Sequence, residues 1–466
     1  MMSPLESKIL DMNSEALGVS VDELMDNAGA ALFDAVSKKF FGKKILIVCG
    51  KGNNGGDGFA CAKRFGRGAD VALLFPPVMI GTGAALRCFN SFDFEWKMFS
   101  EIDVERYDVI VDCVLGTGAR SPIAGVYLDY VNRIRKFKGI VVSADVPTGF
   151  GTDCSFVPDV TVTFHDIKDG MTEKNCGEIV IADIGIPEDA SRLVGPGDML
   201  RYPIPRTDSH KGQNGRLLII GGGPYIGAPA MAGMAAFRVG ADLVHIATPK
   251  PGFVPIAAMT PDFIMHQTSG DVLTENDVTS LIELSKKVDA VLIGPGLGTA
   301  EETMKAVRGF VGKCKKPMVI DADGITAISS IPVLPDNVTI TPHHREFAAF
   351  FGKEFDNDIE TIRKMSAQRN VTVLLKGAED IIVQGGKLRI NTTGTPAMTV
   401  GGTGDVLAGI VSGLSAKGMS SFDSACVGAY ICGTAGEYAY MEYSYGMMAT
   451  DVIEEIADVL MDHLDV

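Results

Sequence analysis

Two glycine-rich loops constrain this chain more than any other feature: Gly50-Lys-Gly-Asn-Asn-Gly-Gly-Asp-Gly58 and Gly401-Gly-Thr-Gly-Asp405. Each sets a lone carboxylate among residues that let backbone come close to a phosphate, and each adjoins an apolar run. The first follows residues 43–49 (KKILIVC), which read as a short buried strand; the second runs into Val406-Leu-Ala-Gly-Ile410, the start of a helix. A single loop of this kind is weak evidence, because glycine clusters also make ordinary turns. Two of them in different sequence contexts point to two domains that both handle phosphate-bearing ligands.

The sequence around the loops supports that division, and 466 residues suit two large domains better than one core. An amphipathic helix over 21–39 precedes strands at 43–49, 70–75, 107–115, 139–145 and 178–182, with helices opening at Phe59 and spanning 126–137. Such alternation favours a mostly parallel sheet with helices on both faces. Over 185–212 the periodicity fades and Pro187, Gly195, Pro196, Gly197, Pro203 and Pro205 punctuate the chain. The boundary belongs there, giving domains 1–206 and 207–466. A second series has strands at 215–222, 243–248, 288–295, 317–321, 338–342 and 371–376, a small-residue helix from Ala228, and mainly helix after Asp405. Residues 397–416 are apolar but interrupted by Gly401, Gly402, Gly404 and Asp405, so they read as a loop opening a buried helix rather than a membrane span.

A formal net charge of -16 argues against a nucleic-acid surface. Phosphate must then be held locally, by backbone N–H groups, helix N-termini, a few chosen Lys or Arg side chains, or a bound cation. The nine cysteines include no C-x-x-C pair, and several lie in apolar runs, as reduced core thiols of a cytoplasmic protein would. Residues 1–18 carry Glu6, Lys8, Asp11 and Glu15 and lack the apolar core of a signal peptide. Abundant small residues on helix faces suit close packing between identical subunits, so a homo-oligomer is expected, with neither nucleic acid nor membrane as partner.

In doubly wound sheets ligands bind beyond the carboxyl ends of the strands. Three strand ends in the first domain carry acids or amides: Asn53, Asn54 and Asp57; then Asp112, followed by Gly116-Thr117-Gly118; then Asp145, followed by Val-Pro-Thr148-Gly149. Asn54, Asp112 and Thr148 supply oxygen ligands only, the type that suits K⁺ or Mg²⁺, and Asp145 is available as a proton carrier. Taken singly, Asp145-Val-Pro-Thr-Gly149 also fits a strand-ending turn and Asp112 a helix cap; three such strand ends together favour a site. These residues, with Leu24-Met-Asp-Asn-Ala-Gly29 and the 161–170 segment containing Lys168, resemble the epimerase domain of the NAD(P)H-hydrate repair enzymes. The resemblance implies that Asn53, Asn54, Gly55, Gly56 and Asp57 contact a hydrated nicotinamide nucleotide. Gly116, Thr117, Gly118, Ala119, Arg120, Ser121, Pro122, Asp145 and Lys168 would complete that contact. It further implies K⁺ on Asn54, Asp112 and Thr148, and Asp145 as the acid/base that interconverts the C6 hydroxyl epimers. Thr148 stands where the family usually has Ser and keeps the hydroxyl.

The second loop lies at a helix N-terminus, where negative charge developing on phosphate is stabilised. Asp405 is placed to take a proton from an attacking hydroxyl; an N-capping role is the simpler alternative, but it does not account for three glycines just before it. The arrangement resembles the ribokinase-like superfamily and, more closely, its ADP- or ATP-dependent NAD(P)H-hydrate dehydratases. That narrowing rests on His210-Lys-Gly212 with Gly215-Arg216, Gly227-Ala-Pro229, Gly294-Pro-Gly-Leu-Gly298, Asp321-Ala-Asp323, Thr341-Pro-His343 with Glu346, and Lys376-Gly377. It implies a hydrated-nucleotide pocket lined by Ala228, Gly296, His343 and Asp405. Lys376, Gly377, Ala378, Glu379, Asp380 and Gly404 would bind ADP or ATP together with Mg²⁺. Asp405 would activate the C6 hydroxyl for phosphorylation, and loss of phosphate would restore the dihydropyridine ring.

The expected architecture is therefore two doubly wound α/β domains, an N-terminal Rossmann-like three-layer domain and a C-terminal ribokinase-like domain. The expected function is bifunctional repair of hydrated NADH and NADPH, by epimerisation and then dehydration of the S form. The competing reading is a ribokinase-type kinase of a small molecule such as a vitamin precursor, with the N-terminal domain as a nucleotide-binding module. The histidines lack zinc-ligand spacing.

Overall fold

A computed structural model of the chain describes residues 1–91, 93, 95–355 and 358–464. The chain divides into two compact units, Met1–Ala190 and Ser191–Val466.

The first unit contains strands β1 (Ile45–Cys49), β2 (Ala69–Leu73), β3 (Trp96–Met98), β4 (Val109–Cys113), β5 (Ile140–Ala144), β6 (Val160–Phe164) and β7 (Glu178–Ala182). They form one parallel sheet in the order β3-β2-β1-β4-β5-β6-β7. β1 and β4 are buried along their whole length, as continuous apolar runs between two helical layers should be. Ile45 and Ile47 enter one core with Leu24, Leu32 and Phe59, while Leu46 and Val48 enter the opposite core with Tyr130 and Val131. Strand order reverses between β1 and β4, which opens a crevice at their carboxyl ends. β3 and β6 add to the strands expected from the sequence.

The helix after β1 runs Asn53–Phe65, so it begins ahead of Phe59 and takes in most of the first glycine loop. Packing explains the glycines there: a Cβ on Gly55 would lie 2.1 Å from the Gly50 carbonyl oxygen. Only glycine lets the helix start that close to the strand it follows.

The second unit contains β8 (Arg216–Ile220), β9 (Leu243–Thr248), β10 (Ile264–Gln267), β11 (Ala290–Ile293), β12 (Met318–Ile320), β13 (Val338–Ile340), β14 (Thr372–Leu375), β15 (Asp380–Gln384) and β16 (Lys387–Asn391). Their order is β10-β9-β8-β11-β12-β13-β14-β15-β16, parallel except for the antiparallel β15 and β16. Leu217 and Ile219 face one core and Leu218 and Ile220 the other, again making three layers. Order reverses between β8 and β11. Helix Thr403–Ala416 is buried from Val406 onward. Among the described residues no helix is long and apolar enough to cross a membrane.

The division at 190/191 lies inside the Pro- and Gly-rich stretch and ahead of the 206/207 division drawn from composition. Residues 191–206 are built into the second unit. Val194 N–H donates to the Ile390 carbonyl at 2.8 Å, the buried Tyr202 hydroxyl donates to the Val239 carbonyl at 3.1 Å, and Asp198 pairs with the buried Arg389.

Candidate active sites

In the first unit a cavity of about 460 Å³ lies at the carboxyl ends of β1, β4 and β5. Asn53, Asn54, Asp57, Gly116, Thr117, Gly118, Asp145 and Lys168 all line it. The Lys168 ammonium meets Asp145 Oδ1 at 2.8 Å and donates to the Phe164 carbonyl at 2.6 Å, with both side chains of the ion pair mostly buried. Asp145 sits at φ +61° and the neighbouring cavity residue His165 at φ +67°. Left-handed backbone at non-glycine residues is strained and persists where the surrounding structure imposes it, typically at functional sites. Burial pushes the Asp57 carboxyl well above its usual range, Asp145 and Asp11 add to the rise, and Lys168 opposes it.

Asn54 is 8% exposed, and neither its amide oxygen nor its nitrogen has a hydrogen-bond partner among the described residues. A buried amide left in that state costs free energy, so a partner is called for. Asp112 and Thr148 lie outside the cavity lining; Asp112, fully buried, accepts from Thr148 Oγ1 at 2.6 Å, Thr148 N at 2.9 Å, Ser143 Oγ at 2.9 Å and Tyr130 Oη at 2.9 Å. Burial still lifts its carboxyl above the ordinary range against those four bonds. Thr148 Oγ1 in turn accepts from Leu115 N–H at 3.0 Å.

Other expected contact residues stand elsewhere. Gly55 and Gly56 face packing neighbours rather than the cavity, and Ala119, Arg120, Ser121 and Pro122 lie outside its lining. The turn that carries them is tied to Asp153, whose Oδ1 accepts from Ser121 Oγ at 3.2 Å and Ile123 N at 3.1 Å. Conversely, helix Pro4–Ala16 brings Ser7, Lys8 and Asp11 into the lining. Lys8 and Asp11 flank the apolar Ile9 and Leu10 in the sequence, a pattern that marks an amphipathic helix with a charged face.

In the second unit Gly402, at φ +103°, is the N-cap of helix Thr403–Ala416, which leaves Asp405 inside the first turn rather than at the cap. Its carboxyl is pushed up to about 7, by burial first and by the Asp321 charge second; Lys376 opposes the rise and Glu346 adds to it. Asp321 follows β12 and Lys376 follows β14, and their side chains meet at 3.1 Å. Asp321 also accepts from Thr341 Oγ1 at 2.7 Å. Burial works against the Lys376 ammonium, yet Asp321, Glu346 and Asp405 hold its pKa above the usual lysine range. Burial likewise lifts Glu346. His343 caps helix His344–Phe351: its Nδ1 accepts from the Arg345 and Glu346 N–H groups at 3.1 and 3.2 Å, while Glu346 Oε2 accepts from His343 N–H at 2.9 Å.

Beside this cluster is a cavity of about 440 Å³ whose lining includes Lys376, Gly377, Ala378, Asp380 and Gly404, but not Glu379. The hairpin β15–β16, which sequence periodicity did not anticipate, contributes its first residue Asp380, and the segment after it contributes Thr393 and Gly394. Ala228, Gly296 and His343 lie outside that lining: Ala228 in the helix entered through the turn after β8, Gly296 in the turn after β11 and His343 in the turn after β13. Two of those turns touch, since Tyr225 N–H donates to the Gly296 carbonyl at 3.5 Å. In the sequence Asp321 and Glu346 stand in motifs without an assigned role; the position of Asp321 at a strand end and the acidity of both are the signals that point to the site.

Comparison with known proteins separates along the same two units. The family described as YjeF-related protein N-terminus matches residues 21–170, and the family described as NAD(P)H-hydrate dehydratase matches residues 217–458. The bifunctional NAD(P)H-hydrate repair enzyme Nnr of Methanothermobacter thermautotrophicus is 39% identical over 98% of this chain and 95% of its own length. Its counterpart in Archaeoglobus fulgidus is 36% identical over 99% of this chain and 98% of its own. Among solved structures, a ribokinase-like superfamily protein of Enterococcus faecalis superposes with TM-score 0.54 at 25% identity, covering 59% of this chain and 97% of that one. The ADP/ATP-dependent NAD(P)H-hydrate dehydratase of Bacillus subtilis, co-crystallised with ATP/Mg²⁺, shares the fold with TM-score 0.51 at 23% identity, covering 59% of this chain and 99% of that one. With full-length identity of this order across both units, the chain belongs to the family of bifunctional NAD(P)H-hydrate repair enzymes.

Proposed function

We propose that the two units carry out successive repair steps in the cytoplasm, as a homo-oligomer. The unit over 1–190 interconverts the R and S epimers of hydrated NADH and NADPH; the unit over 191–466 dehydrates the S epimer at the expense of ADP or ATP. The observation that carries this reading is Asp405, a carboxyl lifted to about 7 in the first turn of a helix, beside a cavity flanked by Lys376 and Gly404. A base with that pKa is matched to taking a proton from a hydroxyl near neutral pH. The adjacent N-terminal N–H groups and the Lys376 ammonium stabilise the charge of the phosphoryl group as it transfers to that hydroxyl oxygen. Phosphate then leaves far more readily than hydroxide would. Asp321 and Glu346 are the hard oxygen donors suited to the Mg²⁺ that accompanies the nucleotide.

In the first unit Asp145, held by Lys168, moves the proton at the C6 hydroxyl. The partnerless amide of Asn54, with the oxygens of Asp112 and Thr148, has the chemistry to hold K⁺. K⁺ held by these oxygens would supply fixed positive charge in the first unit.

The direct test supplies a mixture of R and S hydrate with ADP and then ATP, and follows absorbance of regenerated NADH. Full conversion of both epimers is expected. A phosphorylated product that persists would overturn this assignment in favour of a small-molecule kinase. Replacing K⁺ by a large organic cation is expected to slow epimerisation; an unchanged rate would remove the ion from the site.

A further inference from the structure

Helix Pro4–Ala16 is fixed against the first cavity at both ends. At its start Met2 pairs beside Lys168, donating its N–H to the Ile167 carbonyl at 2.9 Å and accepting from Asp169 N–H at 3.0 Å. At its far end the Asn13 side chain donates to the Ala190 carbonyl at 3.2 Å, and Met2, Leu10 and Ala190 form a small buried cluster. The chain start is thereby anchored to the loop that holds Lys168, and the helix presents Asp11 to the same space as Asp57 and Asp145. Asp11, Asp57 and Asp145 share this cavity with the ammonium groups of Lys8, Lys51 and Lys168, of which Lys168 contacts Asp145.

We propose that Asp11 is a second catalytic carboxyl of the epimerase unit, serving one face of the substrate ring while Asp145 serves the other. The inference rests on the epimerase reading above. C6 of the hydrated nicotinamide carries both a hydroxyl and the ring nitrogen. The protonated carboxyl gives its proton to that hydroxyl; the C6–O bond breaks, water leaves, and the nitrogen lone pair forms a C6=N bond. Water then adds to the opposite face, making a new C6–O bond as the electrons of C=N return to nitrogen, and the ionised carboxylate takes the proton released. The epimer is inverted and the two carboxyls have exchanged protonation states, which readies the site for the reverse direction. Such an exchange needs one acid and one base at neutral pH. Asp11 is suited to it because burial, with help from the Asp145 charge and against Lys168, pushes its carboxyl up to about 6. Asn54, nine-tenths buried and without a side-chain partner among the described residues, lines the same cavity and marks it as a place where a ligand completes the polar contacts.

The test uses the full chain with K⁺ and purified R-hydrate. Asp11→Asn is expected to lower the epimerisation kcat by roughly 100-fold or more with little change in KM, and Asp11→Glu to restore much of it. Dehydration of S-hydrate by the same preparations reports that the chain is folded. The kcat/KM profile of the parent should show a limb near 6 that Asp11→Asn lacks. Lys8, Lys51, Asp57, Tyr127, Asp145, His165 and Lys168 face the same space and are common to both proteins. In H₂¹⁸O each inverted molecule should carry one ¹⁸O at C6. Epimerisation by Asp11→Asn at the parental rate, equal loss in Asp11→Glu with raised KM, or inversion without ¹⁸O would each overturn the proposal. A parent protein that does not epimerise R-hydrate at all would instead overturn the epimerase reading itself.

Discussion

Asp405 shows how one side chain can be costly to the fold and useful to the reaction. As a base it must be ionised, so kcat/KM for dehydration should rise with pH to a plateau above about 7. Asp405→Asn removes the base and is expected to lower dehydration by roughly 1,000-fold while leaving epimerisation intact, read by supplying each epimer separately. Loss of both activities would sink the two-site assignment. Stability runs the other way. A carboxyl raised in the folded state from 3.8 to about 7 binds its proton more tightly when folded, so its contribution to stability falls as pH rises between those values. Above that window Asp405→Asn should unfold at a higher temperature than the parent, and below it the two should converge. Asp145→Asn makes the reciprocal case, since it deprives the buried Lys168 ammonium of its carboxylate at 2.8 Å. Epimerisation should fall by at least about 100-fold, visible only with pure R-hydrate, and dehydration of S-hydrate should persist.

At the scale of elements, the two glycine loops that look alike in sequence do different work. In Asn53–Phe65 the glycines let a helix start hard against its own strand, whereas Gly402 supplies the left-handed turn that aims a helix N-terminus. Gly55→Ala would set its Cβ 2.1 Å from the Gly50 carbonyl oxygen, a backbone atom that cannot step aside. It should destabilise the first unit by about 2 kcal/mol or more, measured by denaturant unfolding. Gly52→Ala, whose Cβ meets nothing within 4 Å, should leave stability nearly unchanged. Equal effects would show that packing is not what the loop glycines are for. Sequence periodicity identified most parallel strands because buried runs such as ILIVC and VIVDC allow no other reading. It missed β3, which is three residues long, β6, β10 and the β15–β16 hairpin, although Gly385 and Gly386 between two short alternating segments is a hairpin signal. The nucleotide segment Lys376–Asp380 overlaps the start of β15, so one residue, Asp380, belongs to both. The acids at strand ends were legible because topology fixes where strand ends gather. The cavity role of helix Pro4–Ala16 was not, because docking of a terminal helix depends on long-range contacts such as Met2 with Ile167.

For the whole molecule the decisive question is where one unit stops and the next begins, and burial decides it better than composition. The Pro- and Gly-rich stretch 185–212 looks like a linker, yet its middle is structural. Asp198 is 1% exposed and pairs with Arg389, itself 9% exposed, while Arg389 also donates to the Leu193 carbonyl at 2.6 Å. Tyr202 adds its ring to the core and its hydroxyl to the Val239 carbonyl. A fragment spanning 191–466 keeps all of these contacts and is expected to fold and to dehydrate S-hydrate. A fragment spanning 207–466 leaves the Arg389 guanidinium buried without its carboxylate, a loss of about 3–5 kcal/mol in comparable buried pairs. It should melt well below the longer fragment, and Arg389→Met within it should recover part of the difference by removing the stranded charge. If both fragments melt at the same temperature, residues 191–206 are a linker after all. The contrast tests a physical claim: a segment rich in helix and strand breakers belongs to whichever core buries its charges.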